Sequence, residues 1–291
     1  SIKGTGGKQV RFVLCLNGYS IRLKDGVNNH VINVGKGGTL ALCDCDGSGK
    51  NNGIITGSTN ASGVYINKAG AFVMYGGSIS GNDTGVKNND LFQMYGGSIT
   101  GNDCGVENLS GTFTMYDGSI TGNRNTKYPY GKGGGVCVTD ANSKFNMYGG
   151  TITDNTATDG GGGVYVSDGK FTMNGNASVS NNTATNGTSG GVYVVNGTFT
   201  MNGGTITKNT ASSTDGGVGV YTSTSTATFT MNGGTISGNT ATKGGGVGVY
   251  RAAKFEMNNS ASITDNTANQ GGGVYVDDKG VYKDGATFTM N

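Results

Sequence analysis

The chain of 291 residues has no Trp, one Pro, one His and few charged side chains. Charged residues make up 13% of it, against about 25% in average proteins, and the Lys and Arg residues are scattered. Nucleic-acid binding requires a dense basic stripe, so the scattered charges exclude that function. No run of about 18 apolar residues occurs, which excludes a membrane-spanning helix.

Glycine is in excess, with 58 residues or one in five. The single Pro and the lack of a three-residue Gly period exclude collagen. Long helices are not expected either, because each Gly inside a helix costs roughly 1 kcal/mol. Disorder is the main rival interpretation, and the periodicity of the sequence decides against it.

A repeated Phe-x-Met element provides that periodicity. All nine Met residues follow a Phe by two positions, and nine of the ten Phe residues belong to the pattern. Successive Met residues are 20 to 33 positions apart: Met74, Met94, Met115, Met147, Met173, Met201, Met231, Met257 and Met290. A repeat of this length predicts a solenoid, in which each unit buries its apolar face against the next.

Each complete unit has two further elements. A small-residue turn leads to an Ile or Val, an Asn follows three residues later, and a Gly-Val segment comes next. The elements alternate with period two: Phe171 and Met173 share one face of their segment, and Val164 and Val166 share one face of theirs. Short alternating runs bounded by Gly and Asn predict half-buried strands.

These observations predict an all-β fold, a single domain over residues 1–291 that forms a right-handed parallel β-helix of the pectin-lyase-like type. The repeats predict about ten coils of three short strands each, and the right hand follows from the usual hand of parallel crossovers. Residues 1–57 are expected to form irregular opening coils, and residues 58–291 carry the repeats. The unit that begins at residue 288 is unfinished, so we expect a fragment of a longer chain with further domains.

The Asn that follows each Ile or Val is expected at a corner between strands. Asn adopts positive φ more readily than most residues, and stacked amides can hydrogen-bond from coil to coil. We therefore predict a structural role for it rather than a catalytic one. The predicted corner ladder consists of Asn82, Asn102, Asn123, Asn155, Asn182, Asn209, Asn239 and Asn266.

Outward positions carry the candidate ligand-binding residues. Four units have a Tyr directly after the Met: Tyr75, Tyr95, Tyr116 and Tyr148. Stacked Tyr rings can contact sugars or proteins, or they can simply pair between strands. The insertion 126–132 holds the single Pro together with Tyr128 and Tyr130, and projecting loops of this kind often carry binding residues. A second Tyr face is expected from Tyr65, Tyr165, Tyr193 and Tyr275.

Two Asp residues form the candidate metal site. Asp140 and Asp168 follow their Gly-Val strands at the same offset, so they are expected one coil apart. Neighbouring carboxylates with backbone carbonyls can hold Ca²⁺, and the alternative is a pair of solvated turn residues. No other cofactor is expected.

Three of the five Cys residues fall in the opening coils: Cys15, Cys43 and Cys45. A disulfide from Cys15 to Cys43 or Cys45 fits an exported protein. A Zn²⁺ site would require a fourth ligand, and the sequence shows none at a fitting spacing.

The repeats resemble those of a known group of proteins. The segments Phe171–Asn174, Gly203–Ile206 and Gly161–Tyr165 are similar to the right-handed β-helix regions of large bacterial surface proteins, which are common in gut Firmicutes. A looser similarity exists to the G-G-A-I and F-x-x-N repeats of chlamydial polymorphic membrane proteins, which are adhesins. The resemblance covers nearly the whole chain and implies a secreted or cell-surface-attached protein, without implying an activity.

Three functions follow as alternatives. The first is a non-catalytic adhesin or rigid spacer that presents loops and Tyr-lined faces to a host or environmental glycan or to a surface protein. The second is a polysaccharide lyase or hydrolase of the pectin-lyase-like fold, although the G-H-G and R-I-K motifs of polygalacturonases are missing. The third is an ice-binding surface of Ser and Thr residues around each Ile. An enzyme predicts a cleft where carboxylates from two or three coils converge within about 5–10 Å, and a spacer predicts none.

Overall fold

The computed structural model describes residue 2 and residues 9–45, 53–127, 131–277 and 285–291. These residues form an all-β parallel β-solenoid of about nine turns, where the sequence predicted about ten, and they contain no helix. The repeat architecture predicted from the Phe-x-Met spacing is thereby confirmed. A helix long and apolar enough to cross a membrane is accordingly absent from this part of the chain.

Three long parallel sheets run along the solenoid. The Met sheet carries the Phe-x-Met segments, and its strands are Val10–Cys15, Gly38–Cys43, Ala71–Met74, Leu91–Met94, Thr112–Met115, Lys144–Met147, Lys170–Met173, Thr198–Met201, Thr228–Met231, Lys254–Met257 and Thr287–Met290. The strands of the Ile sheet are Ile21–Arg22, Ile54–Thr56, Ser78–Ser80, Ser98–Thr100, Ser119–Thr121, Thr151–Thr153, Ser178–Ser180, Thr205–Thr207, Thr235–Ser237 and Ser262–Thr264. Those of the Val sheet are Ile32–Val34, Ser62–Ile66, Thr84–Asn88, Cys104–Asn108, Val136–Thr139, Val164–Ser167, Val192–Val195, Val218–Tyr221, Val247–Tyr250 and Val274–Asp277.

A fourth sheet, not predicted from the sequence, occupies the middle turns. Its strands are Arg124–Asn125, Thr156–Ala157, Thr183–Ala184 and Thr210–Ala211. The three Ala side chains are buried, at 0–4% exposure, so each Thr-Ala pair extends the core by one small residue. A strand of two residues is too short for a period-two pattern, which is why the sequence analysis found only three strands per coil.

Identical residues stack in the core because successive turns pair in register. Phe171 pairs with Phe199, and Met173 pairs with Met201. The rings of neighbouring core Phe residues lie 4.6–5.2 Å apart and are nearly parallel. With Ile and Val from the other two sheets they form one continuous buried core, although only 34% of the chain is hydrophobic.

The opening residues join the same sheets. The strand Val10–Cys15 pairs along its whole length with Gly38–Cys43, and that strand continues into the first Phe-x-Met segment, Ala71–Met74. Leu40 and Leu42 stack above the first core Phe and Met residues and are fully buried. The irregular opening segment therefore provides the first turns of the solenoid.

One position in the Ile row of the core carries a smaller residue. Val179 pairs with Ile152 on one side and Ile206 on the other, and all three are fully buried. Because neighbouring turns already accommodate Ile, Val179→Ile is expected to raise the free energy of unfolding by about 1 kcal/mol. The reverse change, Ile206→Val, is expected to lower it by a similar amount. Denaturant unfolding of both variants checks this, and a less stable Val179→Ile protein would show that this turn is narrower than its neighbours.

Candidate functional site

The ladder of Asn residues forms a hydrogen-bonded column along the inside of one corner. In Asn182, Nδ2 donates to Asn209 Oδ1 and to the Ile152 carbonyl, both at 3.0 Å. Its Oδ1 accepts from the backbone N–H and from Nδ2 of Asn155, both at 3.0 Å. The pattern recurs along the ladder, so these amides are committed to the fold and not to a ligand.

The backbone at this corner differs from the prediction in one respect. The positive φ expected of the Asn residues belongs to the residue before each of them: Gly81, Gly101, Gly122, Asp154, Asn181, Lys208, Gly238 and Asp265. The prediction of a left-handed Asn was wrong because its side chain turns inward to bond the next turn. The preceding residue therefore takes the left-handed conformation.

The Tyr residues after the Met sheet form a row on the outer surface. Tyr75, Tyr95, Tyr116 and Tyr148 are 40–57% exposed. Their ring centroids lie 5.3, 4.6 and 5.6 Å apart in sequence order, with interplanar angles of 10–17°. Rings this close leave no space for a sugar ring between them, so a ligand would meet ring edges and hydroxyl groups. Later turns continue the row with Asn side chains that are hydrogen-bonded to one another.

The two Asp residues predicted to bind Ca²⁺ directly follow neighbouring strands of the Val sheet. Asp140 and Asp168 occupy corresponding positions in adjacent turns, and their carboxylates accept local hydrogen bonds, from the Asn142 N–H at 2.8 Å and from Ser167 Oγ at 3.0 Å. Ca²⁺ binding there stays a prediction. Tyr128 and Tyr130 lie outside the described residues.

The three Cys residues of the opening turns do come together. Their Sγ atoms all lie within 4.8 Å of one another, and Cys15, Cys43 and Cys45 are free thiols in the structure. A hydrogen bond between Cys15 and Cys45 lowers the pKa of Cys15 and raises that of Cys45 to about 12. The disulfide stays a prediction.

A cleft of about 840 Å³ lies on the outer face of the Val sheet. Its floor includes one row of outward side chains from five successive turns, paired in register: Tyr65, Lys87, Glu107, Cys137 and Tyr165. At about 4.8 Å per strand this row is roughly 19 Å long. The cleft is therefore elongated along the solenoid and large enough for a chain-like ligand.

Five of the six charged side chains that line the cleft form ion pairs with one another, and the Nζ atom of the sixth, Lys132, lies 5.1 Å from the centroid of the Tyr165 ring. Lys87 Nζ lies 2.8 Å from Glu107 Oε2. In a second group of the lining, Lys127 Nζ contacts a carboxylate oxygen of Asp83 and lies 3.3 Å from Asp103 Oδ2. Partial burial raises the pKa of Asp103 despite this ammonium group. Carboxylates from two turns thus meet around one Lys, and the acidic and basic side chains that line the cleft are equal in number.

Rings and thiols complete the cleft. The imidazole of His30 stacks on Tyr65 at 4.3 Å, and its Nδ1 accepts a hydrogen bond from the Ser62 N–H at 3.1 Å. Burial, with a smaller effect of Lys87, lowers the pKa of His30, so the ring is neutral at pH 7.

A hydrogen bond with Cys137, together with burial, raises the pKa of Cys104 well above its ordinary value. A thiol held neutral in this way is a poor nucleophile.

This cleft was not predicted from the sequence. Lys87, Glu107 and Cys137 stand in register with Tyr65 and Tyr165, so the signal is a run of exceptions at one outward position. Each exception is a single residue, separated from the next by 20 or 30 positions. Only the register of the strands shows that they are neighbours.

A buried carboxyl group lies farther along the same outer face. Asp215 is fully buried, and its Oδ1 accepts a hydrogen bond from the Tyr250 hydroxyl at 2.7 Å. Gly219 and Gly248 stand where other turns have Tyr193 and Tyr275, and a Cβ at either Gly would overlap the Asp215 carboxyl. The G-V-G-V-Y variant of the repeat therefore accommodates this side chain.

The carboxyl group of Asp215 is only partly satisfied. Its Oδ2 has no hydrogen-bond partner within the described residues, and neither has the hydroxyl of Ser189, which precedes it by one turn. Burial raises the pKa of Asp215 to about 8, against the opposing effect of the Tyr250 hydrogen bond.

No protein-family model, no curated protein and no solved structure matches this chain.

Proposed function

We propose that the protein is a non-catalytic bacterial surface β-solenoid that acts as an adhesin, on a rigid spacer scaffold, and that the Val-sheet cleft is its binding site. In this proposal the solenoid is right-handed and pectin-lyase-like, the protein is secreted or attached to the cell surface, and the ligand is a glycan. The observation that carries the proposal is the cleft itself, where Lys87, Glu107 and Cys137 of three successive turns interrupt a row that has Tyr on either side.

The chemistry of the cleft favours a glycan over an apolar ligand. Hydroxyl-rich ligands are bound by a mixture of charged hydrogen-bonding groups and aromatic surface. The cleft offers donors on Lys87 and Lys127, acceptors on Glu107 and Asp103, and the half-buried ring of Tyr65, one face of which is covered by His30. Its length of roughly 19 Å, or four strand spacings, suits an extended oligosaccharide that lies along the solenoid axis.

The exposed Tyr row is a weaker candidate for the same role. Its rings stack on one another at 4.6–5.6 Å, so neighbouring rings occupy both faces of Tyr95 and Tyr116 and one face of each ring at the ends of the row. Sugar recognition by Tyr uses the face of the ring. We therefore assign the row to packing between turns and place the ligand on the Val sheet.

One observation favours the alternative of a polysaccharide lyase or hydrolase. Asp83 and Asp103 come from adjacent turns and both contact Lys127, and the raised pKa of Asp103 is a property of general acids. Against this alternative, the ammonium group of Lys127 stands between the two carboxylates. A glycosidase pair needs room for the scissile bond or a water in that place.

A glycan array followed by product analysis tests the proposal. We expect the protein to bind a restricted set of glycans and to leave them intact, with no reducing ends or unsaturated products released on long incubation. Lys127→Ala should weaken the array signal, whereas Tyr116→Ala, on the exposed row, should not. Released products that disappear in Asp103→Asn would instead establish the enzyme, and absence of any glycan binding would contradict the proposed ligand.

A further inference from the structure

The first two strands of the Met sheet bring three thiols to one place at the opening of the solenoid. Cys15 and Cys43 are register partners on adjacent parallel strands, and Cys45 follows Cys43 by two residues. The Sγ atoms of Cys43 and Cys45 are 3.6 Å apart, and all three Sγ atoms lie within 4.8 Å of one another. Among the described residues, no other group of three or more His, Cys, Asp or Glu side chains has ligand atoms this close.

Asp44, between the two later Cys residues, fixes the shape of this cluster. Its Oδ1 accepts a hydrogen bond from the Gly18 N–H, and its Oδ2 accepts one from the Gly53 N–H, both at 2.7 Å. These bonds join the loop after the first strand to the segment that follows the second. Asp44 thereby positions the thiols, and its carboxylate oxygens are not among the ligand atoms that lie within 4.8 Å of one another.

The spacing of the sulfur atoms suits a thiophilic metal ion. With a Zn–S distance of about 2.3 Å, tetrahedral geometry places two sulfur ligands roughly 3.8 Å apart. The observed separations of 3.6 Å for one pair and at most 4.8 Å for the others require only small side-chain adjustments. Cys15 and Cys45 are exposed, so an ion can enter and a fourth position remains open to water.

We propose that Cys15, Cys43 and Cys45 form a three-thiolate binding site for a soft divalent cation of the Zn²⁺ class. Thiolates select such ions over Ca²⁺ and Mg²⁺. Each thiol that becomes a ligand releases its proton to solvent on binding. The bound ion would link the first turn to the second, where Val10–Cys15 has one neighbouring strand in its sheet among the described residues.

Titration of the reduced, metal-free protein with Cd²⁺, a spectroscopic probe for Zn²⁺ sites, tests this site. We expect one equivalent to bind, with an ultraviolet thiolate-to-metal charge-transfer band, and Zn²⁺ to displace it. Cys15→Ser and Cys45→Ser should each weaken binding at least ten-fold. The matched control is Cys104→Ser with Cys137→Ser, which removes the other two thiols and should leave the band unchanged.

A second measurement keeps the test independent of folding defects. Zn²⁺ should raise the melting temperature of the wild-type protein and of the Cys104→Ser, Cys137→Ser control, because an ion that binds only the folded state stabilises it. It should not raise that of Cys15→Ser. The proposal is overturned if the band is absent, if it survives in Cys15→Ser, or if the wild-type melting temperature does not respond to Zn²⁺. A disulfide between two of these three Cys residues that forms in air even when Zn²⁺ is present would also overturn the proposal, because the thiols would then form a covalent link instead of a metal site.

Discussion

Replacing Asn182 with Ala is expected to lower the free energy of unfolding by about 4 kcal/mol. The side chain makes four hydrogen bonds inside the solenoid, to two neighbouring Asn residues and to the Ile152 carbonyl. Truncation leaves the partner groups unpaired where water has no access, and each buried unsatisfied group costs about 1–3 kcal/mol. The sum exceeds what most single substitutions produce.

Denaturant unfolding of Asn182→Ala beside Asn202→Ala measures this effect. Asn202 also belongs to an amide ladder, with bonds of 2.9 Å to its neighbours in both directions, but it is exposed. Water replaces its lost partners, so we expect a change below about 1 kcal/mol. Equal losses in the two variants would contradict the view that burial makes the inner ladder essential.

Raising the pH from 4 to 8 is expected to destabilise the protein through Asp215. The folded-state pKa is raised to about 8, whereas the unfolded value is about 3.9. Between these values the folded state holds a proton that the unfolded state has lost, so stability falls as pH rises and the loss is complete above pH 8. At about 1.4 kcal/mol per pH unit, the expected loss is several kcal/mol.

The isosteric variant Asp215→Asn isolates this contribution. The side-chain amide of the introduced Asn is neutral over the whole pH range, and its oxygen can still accept the hydrogen bond that the Tyr250 hydroxyl donates. The difference in unfolding free energy between wild type and Asp215→Asn, measured from pH 4 to pH 9, should change steadily up to pH 8 and then level off. A constant difference over the whole range would show that Asp215 is ionised in the folded protein.

The repeat determined how much of the fold could be predicted. The Phe-x-Met pair, as in Phe171 and Met173, recurs in every unit. In a parallel solenoid equivalent residues of successive units stack, so the positions of the core residues, the three main sheets and the Asn ladder could be predicted from the spacing of the repeats. The Thr-Ala strands were missed because two residues carry no periodicity. The left-handed residue at each Asn corner was misplaced by one position, because the inward turn of the Asn side chain depends on bonds between turns.

The candidate site was harder to predict for a related reason. Lys127 contacts Asp83 and Asp103, which belong to two earlier turns, through an insertion whose path no repeat specifies. The Tyr row was visible in the sequence, but its ring spacing was not, and that spacing is what argues against sugar stacking. The proposed binding residues Lys87, Glu107 and Cys137 depart from the repeat, and only the register of the paired strands shows that they are neighbours.

Calorimetric titration with a glycan identified on the array tests whether the Val-sheet cleft is the binding site. The comparison is between wild type, the cleft variant Tyr65→Ala with Lys127→Ala, and the control variant Tyr75→Ala with Tyr116→Ala on the exposed row. If the Val-sheet cleft is the binding site, the cleft variant binds at least ten-fold more weakly and the control binds as wild type does. Unchanged binding by the cleft variant, with loss in the control, would contradict the account and place the ligand on the Tyr row.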